Sequence, residues 1–153
     1  MDKIINYYFE NIKLIYLYIY IMIKDIFIAI VSFLVLDMFY LGMTKNYWNR
    51  QVKLIQGTDI NIKKIPTFLS YFAIIFSWYY FIYLQHKHKR KLEYKIIVDA
   101  FIFGSLTYAV FEFTNYAIFD KWELASVIAD TLWGGILYAL VTVVVFFLKD
   151  KFN

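Results

Sequence analysis

Four stretches of this chain are long and apolar enough to cross a bilayer, which takes about 20 such residues. They are Ile26–Thr44, Pro66–Leu84, Ile96–Ile118 and Leu124–Leu148, and every Lys and Arg of the chain lies outside them. A soluble core helix would instead scatter cations along its wet face at helical spacing. The chain is 62% hydrophobic, against roughly 45–50% for soluble domains. The expected fold is an all-α integral membrane protein, a four-helix transmembrane bundle over residues 26–148. An amphipathic N-terminal segment, 1–25, precedes it, and a short tail, 149–153, follows.

In the first segment Lys3, Asn6, Glu10 and Lys13 repeat at three and four, opposite Ile4, Ile5, Tyr8, Phe9, Ile12 and Ile15. That pattern predicts an interfacial helix on the membrane surface. Lys24-Asp25 leaves no room for a turn, so the helix is free to continue into span one. No small-residue cleavage site follows it, which argues against a signal peptide. With the N-terminus inside, the inner segments hold ten cations: Lys3, Lys13, Lys24, Lys87, Lys89, Arg90, Lys91, Lys95, Lys149 and Lys151. The outer ones hold six: Lys45, Arg50, Lys53, Lys63, Lys64 and Lys121. The bias predicts both termini in the cytoplasm.

The densest basic run, residues 85–95, falls between two spans, as a cytoplasmic loop would. It lacks the interleaved aromatics that stack nucleic-acid bases, so no nucleic-acid partner is expected. His86 and His88 make a weak metal site in a flexible loop, and no cofactor is implied. With no Cys, neither a thiolate nucleophile nor a disulfide can form.

The longest connection is expected at Lys45–Ile65, with Tyr47 and Trp48 as interface anchors and a turn at Gln56-Gly-Thr-Asp59. Pro66 suits the first turn of span two. Only Phe119–Glu123 separates spans three and four, so these must be antiparallel neighbours. Trp122 is expected to anchor that hairpin at the outer interface.

Three carboxylates remain inside the spans: Asp37, Glu112 and Asp130. Counted along their helices, each sits six or seven residues from the outer end, about 9–10 Å deep. Three acids on three helices at one depth predict one shared site, since each is costly in hydrocarbon unless protonated, paired or hydrated. Ser105, Tyr108, Glu112 and Asn115 form one stripe; Asp37, Tyr40 and Thr44 another; Ser126, Asp130 and Trp133 a third. No cation within the spans neutralises the acids, and close carboxylates cannot all stay ionised. Asn115, Tyr108, Tyr40 and Trp133 are the expected hydrogen-bond donors. Asp99, four residues after Lys95, reads instead as an ordinary helix-surface ion pair.

Spans one and four repeat a pattern, Asp37-Met-Phe-Tyr-Leu-Gly42 and Asp130-Thr-Leu-Trp-Gly-Gly135, both Asp-x-x-aromatic-x-Gly. The glycines, with Ala100 and Gly104 on span three and Ala125, Ala129 and Ala139 on span four, offer small surfaces for close helix approach. Leu36-Asp37-Met-Phe-Tyr-Leu-Gly42 with Tyr47, Phe111-Glu-Phe-Thr-Asn115-Tyr-Ala followed by Lys121-Trp122, and Ala129-Asp130-Thr-Leu-Trp133-Gly134 carry a resemblance. Over residues 26–148 the chain resembles the domain of unknown function 2177 family of small predicted membrane proteins. It departs from that pattern with Tyr40 for Trp, Glu112 for Asp and Glu123 for Pro. The resemblance implies a four-helix membrane protein and marks the same three acids; it implies no activity.

The acids suit binding or transport of a proton, cation or organic amine, by charge and by cation–π contact with their aromatic neighbours. Four helices are few for a pathway, so a homodimer is expected. A scaffold or accessory subunit, with protonated acids as packing glue, is the alternative. An enzyme acting on lipids through acid-bound Mg²⁺ is a third reading. It lacks an intramembrane His or a Ser–His pair, so catalysis is not expected.

Overall fold

A computed structural model describes residues 2–89 and 91–152, with side chains described from Glu10 to Lys151. The polar stripe expected at Lys3 and Asn6 and the cation at Arg90 lie outside the described side chains. The described chain is helical throughout, with no strands, and four helices are long and apolar enough to span a membrane. These are α1 (Asp2–Gln56), α2 (Lys64–His86), α3 (Tyr94–Ile118) and α4 (Leu124–Phe152).

The helix α1 has 55 residues. At 1.5 Å per residue it is roughly 80 Å long, far more than a hydrocarbon core of about 30 Å. It runs without a break through residue 25 and also through Lys45–Gln56, where a long connection is expected from the sequence. The connection to α2 is only Gly57–Lys63. Its turn falls where the sequence places it: Gly57 has φ +77° and its N–H bonds the Lys53 carbonyl at 3.0 Å, a glycine-terminated helix end. The cations Lys45, Arg50 and Lys53 interrupt the apolar run, but not the periodicity. Trp48, Gln51, Val52 and Ile55 recur at three and four and are each at least partly buried, with Gln51 fully so. Gln51 Nε2 donates to the Lys121 carbonyl at 2.8 Å, tying this end of α1 to the α3–α4 hairpin.

In α2 the stretch Tyr79–Tyr83 is π-helical, with the Leu84 N–H reaching back to the Tyr79 carbonyl. Such one-turn π segments rotate the side chains that follow them. Here Tyr79 and Tyr83 stack on one face, their rings 5.6 Å apart.

The helix α4 packs on both α3 and α1 and carries the largest share of the core. Phe33, Trp78 and Tyr138 meet edge to face at its centre, and Trp78 Nε1 donates to Thr142 Oγ1 at 2.9 Å. The α3–α4 crossing is very close. A Cβ on Gly104 would stand 2.3 Å from the Gly134 carbonyl oxygen, and one on Gly134 would stand 2.4 Å from the Tyr108 ring. The Gly134–Gly104 surface thus does what small residues do in lipid, where close van der Waals packing replaces the hydrophobic drive between helices. Gly42 does not share this role, having nothing within 4 Å of a Cβ position. Large apolar side chains such as Phe72, Phe76, Val110 and Leu132 face outward, as a lipid-facing exterior does.

Candidate functional site

On α1, Asp25, Ala29, Phe33 and Asp37 recur every fourth residue, and all four are buried. This stripe faces the interior, so each of its two acids must find partners. Asp37, 7% exposed, finds two: Trp133 Nε1 donates to one carboxylate oxygen at 2.9 Å, and the Tyr71 hydroxyl donates to the other at 2.6 Å. The Tyr40 and Trp133 rings stack in parallel, 4.3 Å apart and 10° from coplanar. The Tyr40 hydroxyl turns to Asp130. The two Asp-x-x-aromatic-x-Gly segments therefore pair reciprocally. The aromatic of each serves the acid of the other, across antiparallel α1 and α4.

Asp130 and Glu112 are near enough for each to act on the other. Two acids that close, with no cation beside them, cannot both stay ionised at little cost. The charged groups acting on Asp130 are Glu112 and Asp37, both acids. Glu112 is fully buried; Trp122 Nε1 donates to its Oε2 at 2.8 Å, while its Oε1 is buried without a partner among the described residues. The Trp48 indole N–H is likewise buried, near the Tyr40 hydroxyl, and its ring is 6.4 Å from that of Trp122. Asp130 lines a groove of about 350 Å³ with Ser70 and Ile74 of α2 and Thr107, Tyr108 and Phe111 of α3.

Asp37, Glu112, Asp130, Tyr40 and Trp133 are thus brought to one region, with both other acids acting on Asp130. Two expected donors contribute less. Tyr108 stands beside the groove and against Gly134, but its hydroxyl bonds none of the acids. Asn115, one turn beyond Glu112, is partly buried, and no side-chain bond ties it to the acids among the described residues. Trp122 supplies that bond instead, from the hairpin where it is expected only as an interface anchor. Tyr47 is more than an anchor as well: its hydroxyl lies 2.7 Å from Ser126 Oγ and donates to Glu123 at 3.2 Å. Asp99 pairs with Lys95 at 2.8 Å, as its spacing predicts, and lies 3.5 Å from His86.

Tyr71 and Asp25 are the members that sequence reasoning misses. Tyr71 sits in a span without acids, and nothing in its own segment marks it. Asp25 has a signal, the four-residue stripe it shares with Asp37. The Tyr83 hydroxyl donates to it at 2.8 Å, well away from the other acids. Among the described residues no three His, Cys, Asp or Glu side chains are grouped closely enough to hold a metal ion.

A family model described as a predicted membrane protein, DUF2177, matches residues 22–147. No curated protein and no solved structure matches the chain.

Proposed function

We propose, from the premise that this chain belongs to the DUF2177 family of predicted membrane proteins, that its intramembrane acids bind an organic ammonium ion in exchange for a proton. The observation that carries this reading is Glu112 beside Asp130, with Glu112 Oε1 buried and without a partner among the described residues. An oxygen in that state incurs a desolvation cost that a donor would relieve. A bound ammonium supplies up to three N–H donors, and its one positive charge replaces that of the departing proton, so the net charge of the pair is unchanged. The Tyr40–Trp133 stack, Trp122 and Phe111 add aromatic surface, whose π faces attract such a cation. The ligand set favours an ammonium or a proton over a chelated metal ion, because two carboxyls, not three, meet.

Asp37 plays a different part. Both its oxygens accept bonds, so it is a positioning residue that locks Trp133 and α2 against α1. For this one acid the packing-glue reading fits the geometry. A second copy of the chain over the lateral groove would enclose the site and give it a pathway.

Binding tests the reading directly. In a neutral maltoside detergent, octylammonium should change Trp fluorescence in a saturable way, because Trp122 and Trp133 contact the acids. Octanol, of equal chain length but neutral, should not. The response should be lost in Asp130→Asn and kept in Asp99→Asn, whose acid is paired elsewhere. Equal responses to both probes, or an unaltered response in Asp130→Asn, would reject ammonium binding.

A further inference from the structure

At the Lys149 end of the molecule, remote from Glu112 and Asp130, two cavities lie in succession along α1. The first, about 480 Å³, is lined by Tyr18 and Met22 of α1, Tyr83 of α2, Lys87 and Lys89 just beyond it, and Lys149 of α4. The second, about 450 Å³, is an apolar groove between α1 and α2, with Ile26, Ile30 and Leu34 facing Phe72, Ile75 and Tyr79. Met22, Ile26, Ile30 and Leu34 recur every fourth residue and so lie on one face of α1. Tyr83 belongs to the first cavity and Tyr79 to the second, and their rings stack. The cavities therefore adjoin at the Tyr79–Tyr83 stack, the first a charged mouth and the second apolar along its length. From Met22 to Leu34 they run about 18 Å, close to the depth of one leaflet, half of a hydrocarbon core of about 30 Å.

Of the cations at the mouth, Lys87 and Lys149 make no ion pair within 4 Å among the described residues and are held by other groups. Lys149 Nζ donates to the Lys87 carbonyl and lies 5.4 Å from the Tyr83 ring centre and 5.3 Å from that of Phe146. Lys87 Nζ lies 5.4 Å from the Tyr18 ring centre. Glu93 pairs with Lys89 at 2.9 Å, while Asp25, which accepts the Tyr83 hydroxyl and acts on Lys149, and Asp150 are the acids near Lys87, Lys149 and His88. Both lysines sit at the ends of their spans, Lys64–His86 and Leu124–Lys151. That is the depth at which phosphate headgroups lie, and basic pockets between helix ends suit them.

We propose that this feature binds one anionic phospholipid, with the phosphate between Lys87 and Lys149 and one acyl chain in the groove from Ile26 to Leu34. A free phosphate could use the mouth alone; the adjoining groove points to the lipid. The bound chain would also fill the sparse contact between α1 and α2, ending beside Tyr71, which donates to Asp37.

The test uses the full chain in a neutral maltoside detergent and reads thermal unfolding against added ligand. Dimyristoyl phosphatidylglycerol should raise Tm in a saturable way; dimyristoyl phosphatidylcholine and inorganic phosphate should not. Lys87→Gln with Lys149→Gln should weaken phosphatidylglycerol binding about 30-fold, at roughly one cation's surface attraction per residue. Lys87→Arg with Lys149→Arg should keep it, which separates charge from folding. Ile30→Trp, filling the groove and leaving the mouth intact, should also abolish the shift. Equal stabilisation by phosphatidylcholine, full binding by inorganic phosphate alone, or unchanged binding in Ile30→Trp would each overturn the proposal.

Discussion

Replacing Gly104 with Ala places a methyl group where α3 and α4 touch. The added Cβ would lie 2.3 Å from the Gly134 carbonyl oxygen and 2.8 Å from Tyr138, whereas ordinary contact begins at 3.4 Å. The carbonyl belongs to a helix backbone and cannot rotate aside, so the two helices must separate by about 1 Å at the crossing. Overpacking of that kind costs about 1–3 kcal/mol. For a chain of this length each kcal/mol is worth roughly 2–4 °C, so Tm should fall by about 2–12 °C. Gly42→Ala is the matched control. It lies within α1 with open space at its Cβ position, and replacing an interior helix glycine with alanine there should stabilise by about 0.5–1 kcal/mol. Thermal unfolding of the two variants in one detergent provides the comparison. A Gly104→Ala protein that melts at or above the native temperature would refute the close crossing. So would a Gly42→Ala protein that falls as far.

Tyr71→Phe removes the hydroxyl that donates to Asp37 at 2.6 Å and should lower stability by about 1–3 kcal/mol, read from the same melts. Beyond the spans, the Asp59 carboxyl is held below the usual carboxylate range by its bond to Lys53 and a second from Asn49. A depressed native pKa gives stability that is present above the unfolded value and lost as pH falls through the native one. The Ile60 amide, bonded to Asn49 Oδ1 at 2.8 Å, should therefore keep its NMR shift until pH drops below roughly 3.9 and move beneath it. If the cationic bias sets orientation, cysteine at position 58 should react with an impermeant thiol reagent in intact cells, and cysteine at position 89 should not. The reverse pattern would invert the topology.

The sequence is most legible where one residue type dominates a long stretch. The apolar runs mark all four spans, the five-residue Phe119–Glu123 link marks the antiparallel α3–α4 pair, and Lys95–Asp99 shows its pair through spacing alone. Matching depth marks Asp37, Glu112 and Asp130 for one region because depth depends only on counting along helices. What counting along single helices does not give is rotation about each axis. That rotation decides that Trp122 rather than Asn115 bonds Glu112, and that Tyr71 reaches Asp37 from α2. The end of α1 misleads for another reason. Lys45, Arg50 and Lys53 look like a loop, yet they project from a helix whose other face, Trp48 and Gln51, packs on the hairpin. The repeat pattern gains meaning only in three dimensions, where Tyr40 and Trp133 stack and each serves the other's acid.

The central claim is that Glu112 and Asp130 form one site whose shared proton yields to an ammonium ion. Calorimetric titration of octylammonium at pH 7, in two buffers of different ionisation enthalpy, counts the protons exchanged. Release of about one proton per ammonium bound is expected, because each ammonium takes the place of one proton on the pair. It also predicts that both binding and release vanish in Glu112→Gln and in Asp130→Asn. Binding with no proton released, or release that persists when either carboxyl is replaced by its amide, would contradict it.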